Sequence, residues 1–393
     1  MNRQKSTAYR FIVLMGIVSM FGDITYEGAR SITGPYLAVL GASAGIVGLV
    51  SGVGEFIGYA LRLVSGRFAD RAKAYWPLTF VGYGLILSVP LLGLAGHWQL
   101  AVPLIILERM GKAIRTPARD AILSHATKQV GRGWGFALHE ALDQVGAFIG
   151  PLVFYAAFLL KGGYSEGFTV LWIPALLVLL FLTVARLKVP YSERLETSGT
   201  ITRQKMKGKL PRVFWIYMIF TFFSVSGFAH FQIISYHFKV QSVVSDAHIP
   251  LLYALAMGVD AMMALIIGKV YDRTGLTSLL VAPLMTSVIP FFAFSHAAGS
   301  AIISVILWGA VMGVHETVMR AAIADLTPME HRGFAYGIFN TAYGASWFLG
   351  SATMGFLYDF SFNLLFVFVV VMELISIPVF FLMKREGVLI PKK

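Results

Sequence analysis

Cysteine is absent from the 393 residues. That excludes disulfides, cysteine-ligated zinc, iron–sulfur clusters and thiol nucleophiles. Charge is scarce: Asp, Glu, Lys and Arg make up 13% of the chain, about half the share of an ordinary soluble domain. Acids are the scarcer sign, 20 against 32 basic residues, for a net charge of +12. No Walker-type phosphate loop ending in Gly-Lys-Ser/Thr and no His-Glu-x-x-His zinc helix occurs, so nothing points to direct ATP drive or to a zinc hydrolase. The nine histidines do not fall at ligand spacings, and no metal or cofactor is expected.

What the chain has is apolar sequence, 57% of it, in long blocks that rule out a water-soluble fold. Spans are expected near 11–40, 45–66, 75–95, 98–122, 133–158, 167–187, 212–238, 249–268, 277–296, 299–322, 333–357 and 361–383. Twelve helices of about 20 residues use roughly 240 positions. The expected fold is an all-α membrane protein of twelve transmembrane helices in two six-helix bundles. The block from Phe11 has no small-residue cleavage site behind it and reads as a span rather than a removable signal.

The basic residues explain themselves by position. They concentrate at both ends and in loops after even-numbered spans, among them Arg67, Arg71, Lys73, Lys128, Arg132, Lys269, Arg273 and Arg332. On the other side only Lys161 and Lys239 lie in loops. By the positive-inside rule both termini are cytoplasmic, in a cell inner (cytoplasmic) membrane. No nucleic-acid partner is needed to account for the charge. The richest stretch, a polar basic linker over 188–211, divides the chain into 1–187 and 212–393.

The two halves repeat. Gly66-Arg67-Phe68-Ala69-Asp70-Arg71 closes span two, and Gly268-Lys269-Val270-Tyr271-Asp272-Arg273 closes span eight at an offset of about 200 residues. Arg132-Gly133 and Arg332-Gly333, and then Gly150 and Gly350, keep the same offset and order. Two six-span repeats are the expected build of a secondary transporter.

On these residues the chain resembles the major facilitator superfamily over essentially its whole length. The Gly-x-x-x-Asp-Arg loops resemble that family's motif A, with the basic tail of the first copy thinned to Ala72-Lys73-Ala74. The resemblance implies a conformational latch at Gly66, Asp70 and Arg71, with a second copy at Gly268, Asp272 and Arg273. Gly146-x-x-x-Gly150-Pro151 resembles motif C, the signature of drug:proton antiporters in the family, although Leu152-Val153-Phe154 follows where further glycine is usual. A plain packing groove explains these glycines equally well.

Charges inside the spans carry the rest. Arg30, Arg62, Arg109, Lys112, Arg115, Arg119 and Arg320 are intramembrane cations. The acids are Asp23, Glu27, Glu55, Glu108, Glu140, Asp143, Asp260, Glu316 and Glu373. Each costs at least about 2.5 kcal/mol near mid-membrane on insertion scales, so together they mark a polar cavity, chiefly in the first half. Asp23, Glu27 and Arg30 share one helix face; Asp23 lies about 20 Å along the axis from Arg10. These three are the expected proton-coupling site, with Asp143 and His139 as rivals. Glu55, Arg62, Glu108, Lys112, Arg115, Glu140, Glu316 and Asn340 are the expected substrate-binding set. Pro117 is expected to interrupt the inner end of span four.

The expected activity is proton-coupled secondary transport of a small organic solute by alternating access, as an efflux antiporter. Import of an organic anion is the alternative. A membrane-embedded enzyme using buried acids and histidine, or a non-transporting sensor of the same fold, also stays open. The expected partners are the substrate, protons and the lipid bilayer, and the expected state is a monomer.

Overall fold

The computed structural model describes residues 3–191, 210–327 and 331–386. Most of the linker expected over 188–211 therefore lies outside the described residues. Every regular element among those described is helical. The crossings are α1 Arg3–Val39, α2 Ala44–Ala72, α3 Tyr75–Leu94, α4 Trp98–Val130 and α5 Arg132–Leu159. Then come α6 Tyr164–Lys188, α7 Arg212–Val240, α8 His248–Thr274, α9 over 275–293, α10 Ala298–Leu326, α11 Arg332–Phe360 and α12 Phe362–Arg385.

Nine runs among the described residues are long and apolar enough to cross a membrane. One of them, His248–Ala293, has 46 residues, about 69 Å of helix against a hydrocarbon core of about 30 Å. Gly275, at φ 59°, turns the chain within it and makes two crossings, α8 and α9. The other two of the twelve are α4 and α11, of 33 and 29 residues. They are long enough to span but are not among the runs apolar enough to count, and α4 carries the charged stripe.

The spans are apolar on two sides, as lipid requires. In α6, Ala175, Val178, Leu182 and Ala185 are fully buried, while Ile173, Leu176, Leu180 and Leu187 on the opposite face are all more than half exposed. The start of α6 is capped by the Glu166 carboxylate, which accepts the Gly163 N–H at 2.7 Å. α4 runs unbroken through Pro117, contrary to the expected interruption. The proline leaves the Ala113 carbonyl without its helical donor, and the Ser65 hydroxyl of α2 donates to it at 2.8 Å instead.

Packing separates two compact units. The first is Met1–Ile32 with Ala60–Thr202, and the second is Thr33–Tyr59 with Arg203–Lys393. In the first, Phe11, Met15 and Val18 of α1 join Trp76 and Tyr83 of α3, Ile122 and Leu123 of α4, and Val178 and Leu182 of α6 in one apolar core. In the second, the first turns of α2 pack on α11. A Cβ on Gly48 would stand 2.3 Å from the Ser351 carbonyl oxygen, so only glycine permits that approach. α7 is broken: Arg212–Ser226 and Phe231–Val240 are helical, with 227–230 between them. α10 contains a π-turn over His315–Met319, a feature frequent at functional sites.

Candidate functional site

In the first unit the polar groups meet around an aromatic ring. Tyr26 falls on the same face of α1 as Asp23, Glu27 and Arg30, at i+3 from Asp23. Around its ring lie three cations: the Lys112 Nζ 3.7 Å from the centroid, the Arg109 Cζ at 4.8 Å and the Arg30 Cζ at 5.7 Å. Arg109 Nη1 also donates to the Tyr26 hydroxyl. A ring face attracts a cation by about 0.5–2 kcal/mol, so one tyrosine helps hold three charges that lipid would reject. The acids beside them form ion pairs, Glu27 with Arg30 at 3.6 Å and Glu108 with Arg109 at 3.7 Å.

Lys112 and Arg115 stand one turn apart on α4. Arg115 is buried and lies over the Tyr83 ring, Cζ to centroid 4.8 Å. Its Nη1 donor has no hydrogen-bond partner, and the Glu108 Oε1 and Asp143 Oδ1 acceptors have none either. A buried unmatched donor on a permanent cation is costly and is what a docking anion would satisfy. Asp23 of α1 and Asp143 of α5 lie close enough to act on each other's charge, with Lys112 and Arg115 in reach of both.

A second network ties four helices together at Ser19. Its hydroxyl meets Tyr83 OH at 3.0 Å and His139 Nε2 at 2.8 Å, and accepts from Arg119 Nη1 at 3.0 Å. The bond of His139 thus runs to Ser19, although Asp143 lies one turn away on its own helix. Arg119, which also pairs with Asp120 at 2.9 Å, reaches inward from the end of the stripe. Glu140 is exposed on α5 and Arg62 is half-buried on α2.

Glu55, Glu316 and Asn340 belong to the second unit. The Glu55 carboxylate pairs with His230 Nε2 at 3.5 Å. His230 lies in the break of α7 and stacks on Trp347, centroids 4.8 Å apart. The break is braced by Trp308 Nε1, which donates to the Ala229 carbonyl at 2.9 Å. Phe228 packs against Trp308 and against His315 of the π-turn. Glu316 lies in that turn and Asn340 on α11, both half-buried. Phe228, Phe231, Trp308 and Trp347 are fully buried and pack this region.

The motif residues have local partners. Gly146 and Gly150 bring α5 onto α1: a Cβ would stand 2.3 Å from the Met20 carbonyl oxygen at the first and 2.7 Å from the Ile24 oxygen at the second. These contacts bracket Asp23. Pro151 follows inside the continuous α5. A Cβ on Gly66 would stand 3.4 Å from the Pro117 ring, and Asp70 accepts the Tyr75 hydroxyl at 3.2 Å. A Cβ on Gly268 would stand 3.7 Å from Thr317 of α10, an ordinary contact. Asp272, Arg71 and Arg273 are exposed. Sequence reasoning passed over Tyr26, Ser19 and Tyr83; the Asp23-Tyr26-Glu27-Arg30 spacing held the signal for the first.

The comparisons agree with this architecture. The profile of the Major Facilitator Superfamily matches residues 12–316 and 243–392. An uncharacterised protein of Mycobacterium tuberculosis (strain ATCC 25618 / H37Rv) is 41% identical over 391 residues, covering 98% of this chain and 96% of the relative. An uncharacterised MFS-type transporter of Methanocaldococcus jannaschii is 28% identical over 374 residues, 93% and 92% of the two chains. Among solved structures, a bacterial homolog of the human lysosomal transporter Spinster, inward-facing and unoccupied, superimposes with a TM-score of 0.72 at 14% identity over 98% of both chains. The nucleoside transporter NupG gives 0.72 at 11% identity over 95% and 98%. The family match and the MFS-type relative support a secondary transporter. The chain belongs to the Major Facilitator Superfamily.

Proposed function

We propose that the protein is a proton-coupled antiporter that exports a small organic solute bearing a negative group. The observation that carries the reading is Arg115: a buried guanidinium with an unmatched donor, one turn from Lys112, beside acids that no apolar substrate would need. Arg suits bidentate binding of a carboxylate or phosphate. Asp23 and Glu27, with Arg30 beside them, are the coupling acids. A carboxyl that is neutral in one conformation and ionised in another carries the proton, and movement of Arg30 relative to Glu27 biases the two forms. The close α1–α5 contact at Gly146 and Gly150 supports export through the resemblance to the antiporter motif.

Alternating access moves residues 1–187 against 212–383, with Asp70 as the latch. The protein works as a monomer in the inner membrane with both ends cytoplasmic; the Lys and Arg distribution supports that orientation. The test is transport of a labelled panel of organic anions in proteoliposomes, with the pH gradient imposed in each direction. Exchange that moves anion against protons supports the reading. Anion entering together with protons favours import, which the same cationic site would serve.

A further inference from the structure

Glu373 is a buried acid that no role above uses. It lies at mid-length of α12 and is 1% exposed. Neither carboxyl oxygen has a hydrogen-bond partner among the described residues. Its neighbour is the break in α7: a Cβ on Gly227 would stand 2.4 Å from Glu373 Oε1, so the carboxyl occupies the space that glycine leaves where the helix ends. α7 and α12 run antiparallel here, and one further contact, Phe220 on Phe380 at 6.1 Å, fixes the register. That register sets Ser224 level with Ser376, one turn from the carboxyl. The Ser224 hydroxyl is fully buried and has no partner.

Among the described residues, the elements packed on α12 bring no charge to Glu373. α9 has no titratable side chain over 275–293. On α7, Tyr217 donates to the Met319 carbonyl, His230 faces Glu55, His237 meets Tyr358 and Arg212 pairs with Glu386. On α11, Tyr336 donates to the Arg320 carbonyl, Tyr343 turns to His315 and Asp359 accepts from α2. An ionised carboxylate left alone in such a place is strongly disfavoured, and a metal cation would want several oxygen ligands around it. A protonated acid fits. Broken helices of transporters are where coupling ions sit.

We propose that Glu373 is a second proton-binding site, at the α7 break, whose carboxyl takes a proton onto one oxygen in this conformation and returns it to water when the Gly227 segment moves. The proposal rests on the proton-coupled reading for its role in the cycle, but the site itself can be measured separately. Infrared difference spectra of the purified protein over a pH series should contain a protonated-carboxyl band that Glu373→Gln removes. In proteoliposomes, Glu373→Gln should keep counterflow, which needs no net proton movement. It should lower substrate accumulation by about tenfold per unit of imposed pH gradient, the worth of one proton.

Wild-type pH-driven accumulation in Glu373→Gln overturns the proposal and leaves proton coupling elsewhere intact. A titrating band in a protein with no pH-driven transport keeps the site and overturns the coupling reading. Loss of the band on adding sodium chloride, but not choline chloride, at fixed pH reassigns the site to sodium and overturns the proposal. Should Glu373→Gln fail to fold, Gly227→Ala serves, since its methyl must displace the carboxyl. Its band should shift; an unchanged band and unchanged accumulation count against the site.

Discussion

The carboxylate of Asp359 accepts the Gly45 backbone N–H at 2.8 Å, and its second oxygen accepts the Ala44 N–H at 3.1 Å. An acid at the C-terminal end of α11 thus caps the first turn of α2. A carboxylate there satisfies two donors the helix cannot and faces the positive end of its dipole. Losing such a cap costs about 0.5–2 kcal/mol. Asp359→Ala should lower the Tm of the detergent-solubilised protein, and Asp359→Asn, which keeps the shape and one acceptor, should lower it less. Equal Tm in all three proteins would show that the cap contributes nothing.

Arg115 gives the sharpest affinity prediction. Hydrogen bonds to a charged group are worth about 1.5–3 kcal/mol, so Arg115→Ala should raise the Kd of the substrate anion at least about tenfold. Arg115→Lys should recover part of the charge but not the two-pronged geometry. Lys112→Ala should weaken binding as well, and should also free Tyr26 from its nearest cation. Binding isotherms for the anion found in the transport panel decide this; a Kd unchanged in both alanine variants would place the anion elsewhere.

Helical spacing made much of this site legible. Asp23, Glu27 and Arg30 on α1 and the Glu108–Arg119 stripe on α4 are local patterns, and their placement on single faces follows from 3.6 residues per turn. The partners of those faces were not legible. Tyr26 gains its role from Arg109 and Lys112, more than 80 positions away, and Ser19 gains its role from His139 and Arg119. His139 and Asp143 share one face at i, i+4, yet the bond of His139 runs to the hydroxyl of Ser19 on another span. The unbroken helix at Pro117 follows the same logic, because the compensating donor, Ser65, lies on another span. Glu55 looked like a cavity acid by depth alone; that it meets His230 depends on the break in α7, which no turn signal stronger than Gly227 announces.

Asp70 tests the latch. Its carboxylate accepts the Tyr75 hydroxyl at 3.2 Å, an exposed bond of modest worth, so its loss should barely disturb folding. Asp70→Asn should impair transport severalfold while leaving expression and Tm near wild type, and Asp272→Asn should do less. Tyr75→Phe separates the two roles: it removes the local bond but not the charge, and should transport normally. Wild-type turnover in Asp70→Asn would sink the latch.

The coupling acids call for a test that separates proton movement from substrate movement. Asp23 and Asp143 lie within electrostatic reach of one another and share Lys112 and Arg115 as neighbours. Two carboxylates so placed repel one another when both are ionised. Glu27 lies 3.6 Å from Arg30. The cycle proposed here moves the proton when Arg30 and Lys112 change their distance to these acids. Asp23→Asn and Glu27→Gln should therefore abolish pH-driven transport yet retain counterflow, and Arg30→Ala should shift the pH at which transport is half-maximal rather than abolish it. His139→Ala, which loses the Ser19 bond but no acid, should alter rate without uncoupling. If both acid variants keep full pH-driven transport while Asp143→Asn loses it, the coupling site is on α5 and the α1 acids serve only to balance Arg30 and Lys112.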